Sequence, residues 1–247
     1  MNDKVAAMLP WPGDDLSSYG PVEAKPVGRT QHYVGRAMHR NWVSIPHVTH
    51  HDDADITGFE RRRKDWNAAH PEQKRSLLSA LVKASAAALQ RYPRFNSALS
   101  ADGATLTTRQ YFHIGIAVDV PSGLLVPVLR DCDRKSIDEI TAEVAGISEK
   151  ARTKGLALAE MSGGCFTLSS LGHIGGTGFT PIINAPEVAI LGICRTQERF
   201  LPDAEGRPVL RQLLPLSLSY DHRVINGADA ARFVRAIAEW LEGHEFS

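Results

Sequence analysis

The chain has 247 residues, 43% of them hydrophobic, so it is long enough to enclose one large hydrophobic core in a single domain. Its 28 Lys and Arg residues balance its 28 Asp and Glu residues, which excludes the broad basic field that holds nucleic acid or an anionic membrane. Three well-separated cysteines without a Cys-x-x-Cys pair, and no apolar run approaching ~20 residues, predict a soluble protein of a reducing compartment such as the bacterial cytoplasm.

Residues 1–28 are predicted to form an extended N-terminal arm. Their prolines and glycines, Pro10 and Gly13 among them, disfavour the interiors of helices and sheets. Apolar residues such as Trp11 suit an arm that lies along its own or a neighbouring subunit, and a disordered leader is an equal alternative. Residues 29–247 are predicted to form the folded domain.

The first elements of that domain contain several histidines. Residues 29–43 are predicted to be a helix that ends before a proline, because the residue before proline is displaced from helical geometry. Alternation over residues 47–55 predicts a strand, with His47, His51 and Asp53 on one face. Their spacing lacks the helical His-x-x-x-His geometry and no further ligand is evident, so no metal site is expected.

Helices and strands then alternate to the end of the chain, which predicts an α/β protein. Apolar spacing and capping residues indicate helices over residues 58–69, from Pro71 to Leu89, from Ser136 to near Gly155, and over 227–241. Period-two alternation and turn residues indicate two hairpins, over 95–109 and 112–130, and strands over 163–172, 187–199 and 208–220.

The last predicted strand runs into the sequence Asp-His-Arg-Val-Ile-Asn-Gly, which contains the strongest candidate for a reactive group. His222 lies at the strand end, and histidine can take and return a proton near neutral pH. It is the best candidate for a general base, and a structural partner of a nearby carboxylate is an equal alternative. Ser169, at the end of another strand, is a candidate nucleophile or a hydroxyl donor to an oxyanion, although Gly-x-Ser-x-Gly is missing.

Five motifs are similar to those of one known family. They are Asp-His-Arg-Val-Ile-Asn-Gly-Ala (221–228), Gly-Gly-Cys-Phe-Thr-Leu-Ser-Ser (163–170), Asn-Ala-Pro-Glu-Val-Ala-Ile-Leu-Gly (184–192), Ile-Pro-His-Val-Thr (45–49) and Pro-Arg-Phe-Asn-Ser (93–97). From about residue 9 to about residue 240 the chain resembles the catalytic, inner-core domain of the dihydrolipoamide acyltransferases of 2-oxo acid dehydrogenase complexes, in particular the pyruvate dehydrogenase type.

The resemblance implies a chloramphenicol-acetyltransferase-like two-layer α/β sandwich with a mixed β-sheet, working as a trimer with active sites between subunits. It implies transfer of an acyl group, acetyl by preference, between coenzyme A and dihydrolipoamide or another small acceptor, without an acyl-enzyme and without a metal. His222 matches the family's general base and Ser169 its oxyanion donor. Asn226 stands where many relatives have aspartate and some members of the pyruvate dehydrogenase type have asparagine, which can keep the same hydrogen bonds. A direct catalytic part for Asn226 and a simple turn at Asn226-Gly227 are equal alternatives.

Two features differ from the family's pattern and determine which partners are expected. These 247 residues contain no lipoyl domain or peripheral-subunit-binding domain, so the sequence is expected to be either part of a longer chain or a free-standing enzyme. The lipoyl group is then expected on another domain or protein, with dehydrogenase components as further candidate partners. The tail carries Glu242, His244 and Glu245 instead of an apolar anchor, so the trimer is expected not to assemble further. The alternatives are a non-catalytic scaffold and a stand-alone acyltransferase that acts on a small metabolite.

Overall fold

The computed structural model describes residues 13–121 and 123–244. Within them five α-helices form: α1 (Arg29–Ser44), α2 (Thr57–Ala69), α3 (Leu77–Arg91), α4 (Ile137–Thr153) and α5 (Gly227–Gly243). The strands of the described residues are β1 (His47–Asp55), β2 (Ser97–Leu99), β3 (Leu106–Thr108), β4 (Ile114–Ile116), β5 (Val118–Val120), β6 (Gly123–Leu125), β7 (Val128–Leu129), β8 (Phe166–Ser170), β9 (Ala189–Ile193), β10 (Gln197–Pro202) and β11 (Pro208–Asp221). None of the described helices is long and apolar enough to cross a membrane.

Seven strands form the main sheet, in the order β1-β11-β9-β8-β4-β7, with β10 paired to the first part of β11. The pairs β4–β8 and β8–β9 are parallel, whereas β11 is antiparallel to β1, β9 and β10. Two small antiparallel pairs, β2–β3 and β5–β6, lie outside this sheet. The predicted α/β class with a mixed sheet is confirmed.

The hydrophobic core lies on one face of the sheet, because β11 alternates leucine with polar residues. Leu214, Leu216 and Leu218 are buried in a core that also contains the apolar face of α5. Within it the ring of Phe233 stacks on Phe95 with centroids 4.0 Å apart. Burying each large apolar side chain contributes roughly 1.5–3 kcal/mol, so this alternation fixes which way β11 faces.

The opposite face of β11 is polar and also buried. Ser217 and Ser219 are at most 1% exposed, and their hydroxyls lie 2.9 Å from His51 Nδ1 and 2.8 Å from Thr49 Oγ1 on β1. Alternation in β8 places Ser169 on this side of the sheet, opposite to the side of the buried Leu168. The sheet therefore has one apolar face against the helices and one face with hydroxyl groups.

The strand predicted over residues 187–199 is divided by a β-bulge. Ile193 pairs with Leu216 and Gln197 pairs with Leu213, so three residues of one strand oppose two of the other. One of those two is Pro215, which has no N–H to donate to the ladder. The chain therefore forms two strands, β9 and β10, in place of one.

Two other predicted elements differ from the structure. The helix predicted from Pro71 begins at Leu77, because Asn67 binds the backbone of Arg75 at both N–H and C=O and Ser76 caps the helix from the N-terminal side. The strand predicted over residues 112–120 is interrupted at Ala117, and its halves pair with different partners.

The predicted arm is described only from residue 13 onward. Residues 13–28 contain a 3-10 turn at Leu16–Tyr19 and are exposed. Trp11 lies outside the described residues. Glu245 of the tail lies outside them as well, whereas Glu242 is still part of α5.

Candidate active site

The end of β11 holds His222 by its backbone and leaves its ring open. Asp221, the last residue of the strand, donates its N–H to the C=O of Val188 at 2.9 Å. His222 donates its own N–H to the C=O of Pro46 at 3.1 Å. The imidazole is exposed, lies 5.9 Å from the ring of Tyr220, and makes no hydrogen bond to the residues that the structure describes. Its nitrogens are therefore free to bind a substrate.

The carboxylate next to His222 is bound by an arginine. Asp221 is buried, and Arg223 contacts it with Nε at 2.9 Å from Oδ1 and Nη2 at 2.6 Å from Oδ2. This hydrogen-bonded pair raises the pKa of Arg223 above its ordinary value. Asp221 therefore pairs with Arg223, and the imidazole of His222 has no partner in this carboxylate.

Asn226 begins the helix that follows. Its Oδ1 accepts the N–H of Asp229 at 2.9 Å, so Asn226 is the N-cap of α5. Asparagine and aspartate cap helices about equally well, and an acidic group also suits a helix N-terminus. Either asparagine or aspartate at this position is therefore compatible with the same local fold.

Replacing Asn226 with alanine is expected to lower the free energy of unfolding by about 1 kcal/mol through loss of this cap. Asn226→Asp is expected to stay within a few tenths of a kcal/mol of the parent chain, because the carboxylate accepts the same N–H. Urea unfolding of both variants measures the difference. An aspartate variant that is less stable than the alanine variant would contradict the capping role.

Ser169 lies on β8, two strands away from β11. It lines a cavity of about 440 Å³ together with Ser170, Asp119, Arg152 and His173. The structure does not bring Ser169 near His222 within one chain: Ser169 is level with Ser217, which pairs with the intervening β9. With strands ~4.8 Å apart and a rise of ~3.3 Å per residue, the Cα atoms of Ser169 and His222 are roughly 19 Å apart.

Glu187 is a polar residue near the strand end that the sequence did not single out. It is 4% exposed, accepts a hydrogen bond from the Thr167 hydroxyl at 2.7 Å, and lines a second cavity of about 440 Å³ beside Asp221 and Arg223. A Cβ on Gly164 would lie 2.8 Å from its Oε1, so any larger residue at this position would displace the Glu187 carboxyl group. Burial raises the pKa of Glu187 to about 8, against the opposing effects of the Thr167 hydrogen bond and Arg109.

The three residues of β1 that were considered for a metal site, His47, His51 and Asp53, each have a different partner. His47 contacts Ile45 and Ile183, His51 contacts Ser217, and Asp53 pairs with Arg199 at 2.7 Å. Among residues 13–121 and 123–244 no group of three or more His, Cys, Asp or Glu side chains is arranged to hold a metal ion.

All three cysteines are buried and free. Burial raises the pKa of the Cys132 thiol to about 11, and it also raises the pKa of Cys165 and Cys194. These thiols are therefore protonated at neutral pH and poorly suited to be nucleophiles.

Comparison with known proteins identifies the class of protein that has this fold and this histidine at the strand end. Chloramphenicol acetyltransferase shares the fold, with a TM-score of 0.55 and 15% identity, over 83% of this chain and 94% of that chain. A family model for the catalytic domain of 2-oxoacid dehydrogenases acyltransferase matches residues 19–246. The chain belongs to this family, and the resemblance drawn from its motifs is confirmed.

Curated relatives are similar over most of this chain. The dihydrolipoyllysine-residue acetyltransferase component of the pyruvate dehydrogenase complex from Pseudomonas aeruginosa is 49% identical over 239 residues, 96% of this chain and 43% of that protein. The same component from Cupriavidus necator is 48% identical over 229 residues, 92% of this chain and 41% of that protein. The chain thus spans about two fifths of the length of these relatives.

Two solved structures match with a TM-score of 0.92, each over 96% of this chain and 98% of theirs. One, 46% identical, comes from a study of a serine, a histidine and an asparagine in the catalytic mechanism of Azotobacter vinelandii dihydrolipoamide acetyltransferase. The other, 47% identical, is the cubic core of the pyruvate dehydrogenase multienzyme complex.

Proposed function

We propose that this chain transfers an acetyl group between coenzyme A and a dihydrolipoyl group, with His222 as the general base. One observation carries the proposal: the imidazole at the end of β11 has no carboxylate partner within residues 13–121 and 123–244, and Asn226 follows it four residues later. The histidine and asparagine studied in the Azotobacter vinelandii enzyme are also four residues apart. The spacing of the histidine and the asparagine along the sequence thus matches that in a related enzyme.

The proposed mechanism uses both substrates together. His222 takes the proton from the attacking thiol, and the thiolate attacks the carbonyl carbon of the other partner's thioester. The tetrahedral oxyanion accepts a hydrogen bond from the Ser169 hydroxyl. Collapse breaks the old C–S bond, and the departing thiolate recovers the proton from the imidazolium. The protein contributes positioning, a base and an oxyanion donor, and no acyl-enzyme forms.

Ser169 is preferred to its neighbour Ser170 because of the face on which it lies. Ser169 alternates with the core residue Leu168, so it shares the hydroxyl-bearing side of the sheet, whereas Ser170 shares the side of Leu168. In the Azotobacter vinelandii enzyme the serine precedes the histidine by 52 residues, and the corresponding intervals here are 53 for Ser169 and 52 for Ser170. The Ser170→Ala variant is therefore the matched control.

We further propose that the active site forms between subunits of a homotrimer, with Ser169 of one chain facing His222 of the next. The separation of roughly 19 Å within one chain supports this, since a reacting atom must lie within ~3 Å of each group. Apolar side chains exposed on the arm and α1, such as Tyr19, Tyr33 and Trp42, suit a contact with another subunit. In this proposal residues 1–28 are the arm and residues 29–247 the catalytic domain.

The remaining partners follow from the proposed reaction. Coenzyme A enters as a substrate, the lipoyl group is carried by another domain or protein, and no metal takes part. We place the enzyme in the bacterial cytoplasm or an equivalent reducing compartment. Its partners would be a lipoyl-bearing protein and components of a 2-oxo acid dehydrogenase complex, as the complexes named for its relatives indicate.

Mixing two inactive variants tests the shared site. Ser169→Ala is expected to lower kcat by about 10²–10³-fold through loss of the oxyanion donor. When Ser169→Ala and His222→Ala chains assemble at random in a trimer, about a quarter of the interfaces combine an intact Ser169 with an intact His222. Co-expressed chains are therefore expected to recover about a quarter of the parent activity between acetyl-CoA and dihydrolipoamide.

A mixture of His222→Ala with the double variant should recover nothing, and Ser170→Ala alone should remain active. Absence of recovery in mixed trimers verified by mass would place both groups in one chain and refute the shared site. A parent chain without acetyl transfer would refute the enzymatic proposal and favour a scaffold.

A further inference from the structure

His47, at the start of β1, uses both ring nitrogens in hydrogen bonds to the backbone. Its Nε2 accepts the N–H of Ile183 at 3.0 Å, and its Nδ1 lies 2.8 Å from the C=O of Ile45. Because an N–H can only donate, Nε2 carries no proton in this arrangement, and Nδ1 carries the proton that it donates to Ile45. The ring is thus a neutral bridge with one donor and one acceptor.

The bridge joins two segments that are far apart in the sequence. One runs from Asn41 to His47, and the other follows Pro181. Asn41, which is 2% exposed, donates its Nδ2 to the C=O of Ile183 at 2.9 Å, so both polar groups of Ile183 are bound from the first segment. The side chains of Ile183 and Ile45 pack together in a small apolar cluster.

The same two segments hold the backbone of the proposed base. The C=O of Pro46, between Ile45 and His47, accepts the N–H of His222. The C=O of Val188, five residues after Ile183, accepts the N–H of Asp221. Both backbone bonds at the strand end therefore come from segments that His47 ties together.

We propose that His47 is a positioning residue for His222. By fixing the segment of Pro46 against the segment of Ile183, it sets the backbone at residues 221 and 222 and thereby the direction of the His222 imidazole. The inference rests on the proposed role of His222 as the base. A displacement of about 1 Å at a catalytic group costs up to ~10²-fold in rate, so loosening this bridge lowers turnover without removing a substrate contact.

Two substitutions separate the two hydrogen bonds of the ring. The amide oxygen of His47→Gln reaches about as far as Nε2 and accepts the N–H of Ile183, whereas the shorter His47→Asn keeps the bond to Ile45 and loses Ile183. We expect kcat to fall by ~10–100-fold in His47→Asn, with KM for both substrates nearly unchanged, and to stay near the parent value in His47→Gln. His50→Asn, on the opposite face of β1, is the control and is expected to leave kcat unchanged.

A second readout does not depend on catalysis. The Cε1–H NMR signal of His222, assigned by its loss in His222→Ala, is expected to shift in His47→Asn and to remain in place in His50→Asn. If His47→Asn does not fold, Asn41→Ala, which removes the bond to the C=O of Ile183, is expected to give the same shift and a smaller loss of kcat.

Equal loss of kcat in His47→Asn and His47→Gln, a change confined to KM, or an unmoved His222 signal would each overturn the positioning role. If the His222 signal shifts in His47→Asn but the parent chain shows no acetyl transfer, the positioning role stands and the proposed function is refuted, so the two failures are distinguishable.

Discussion

His222→Ala is expected to lower kcat for transfer between acetyl-CoA and dihydrolipoamide by about 10²–10⁴-fold, the usual contribution of a general base. The imidazole is exposed, and the hydrogen bond to the C=O of Pro46 comes from the backbone N–H of His222. The alanine variant should therefore fold as the parent chain does. Without the base, the attacking thiol must lose its proton to water before it reaches the thioester. Steady-state rates at saturating levels of both substrates measure the effect.

The matched control for this loss is His50→Ala, which removes a histidine from the neighbouring strand β1. It is expected to keep the parent rate. A His222→Ala chain that retains more than about a tenth of the parent kcat would exclude His222 as the base, because general-base catalysis contributes at least ~10²-fold.

Glu187→Gln is expected to change the pH dependence of stability by a few kcal/mol. Burial raises the pKa of Glu187 to about 8 in the folded chain, from an ordinary value of 4.5. Between these two pH values the unfolded chain releases a proton that the folded chain keeps. The contribution of Glu187 to the free energy of unfolding therefore falls as pH rises through this window, by about 1.4 kcal/mol per pH unit, and is level outside it.

Glutamine cannot ionise, and its amide oxygen accepts the same Thr167 hydrogen bond as Glu187. The variant should match the parent chain near pH 4.5 and exceed its stability by a few kcal/mol at pH 8. Urea unfolding at both pH values measures this difference. Glu72→Gln, at an exposed turn, should leave the parent profile unchanged. Parallel profiles for parent and Glu187→Gln would show that the carboxyl is ionised in the folded chain.

Local patterns in the sequence predict the elements whose structure depends on local forces. The alternation of β11 predicts both its strand and its apolar face, because burial of Leu214, Leu216 and Leu218 decides the orientation. The capping box at Ser136 and Glu139 is confirmed, with the Ser136 N–H 2.7 Å from Glu139 Oε2. These predictions need only residues within a few positions of one another.

Contacts between distant residues are beyond such patterns. The start of α3 depends on Asn67, eight residues before Arg75, and the carboxyl of the buried Glu187 is bound by Thr167, twenty residues earlier in β8. The bridge of His47 spans 136 residues. The strand-end position of His222 is local and was predictable, whereas the distance between His222 and Ser169 appears only when the order of strands is known.

An inserted residue would have a different effect within β11 than at the bulge between β9 and β10. A residue inserted within β11 would exchange its faces, so that Ser217 and Ser219 would enter the core and the leucines would meet the hydroxyl-bearing side. The bulge opposite Pro215 already accommodates one extra residue between Ile193 and Gln197 without shifting either flanking pair. Insertions and deletions are therefore expected to be tolerated at the bulge and to be harmful within β11, the strand that leads to the proposed base.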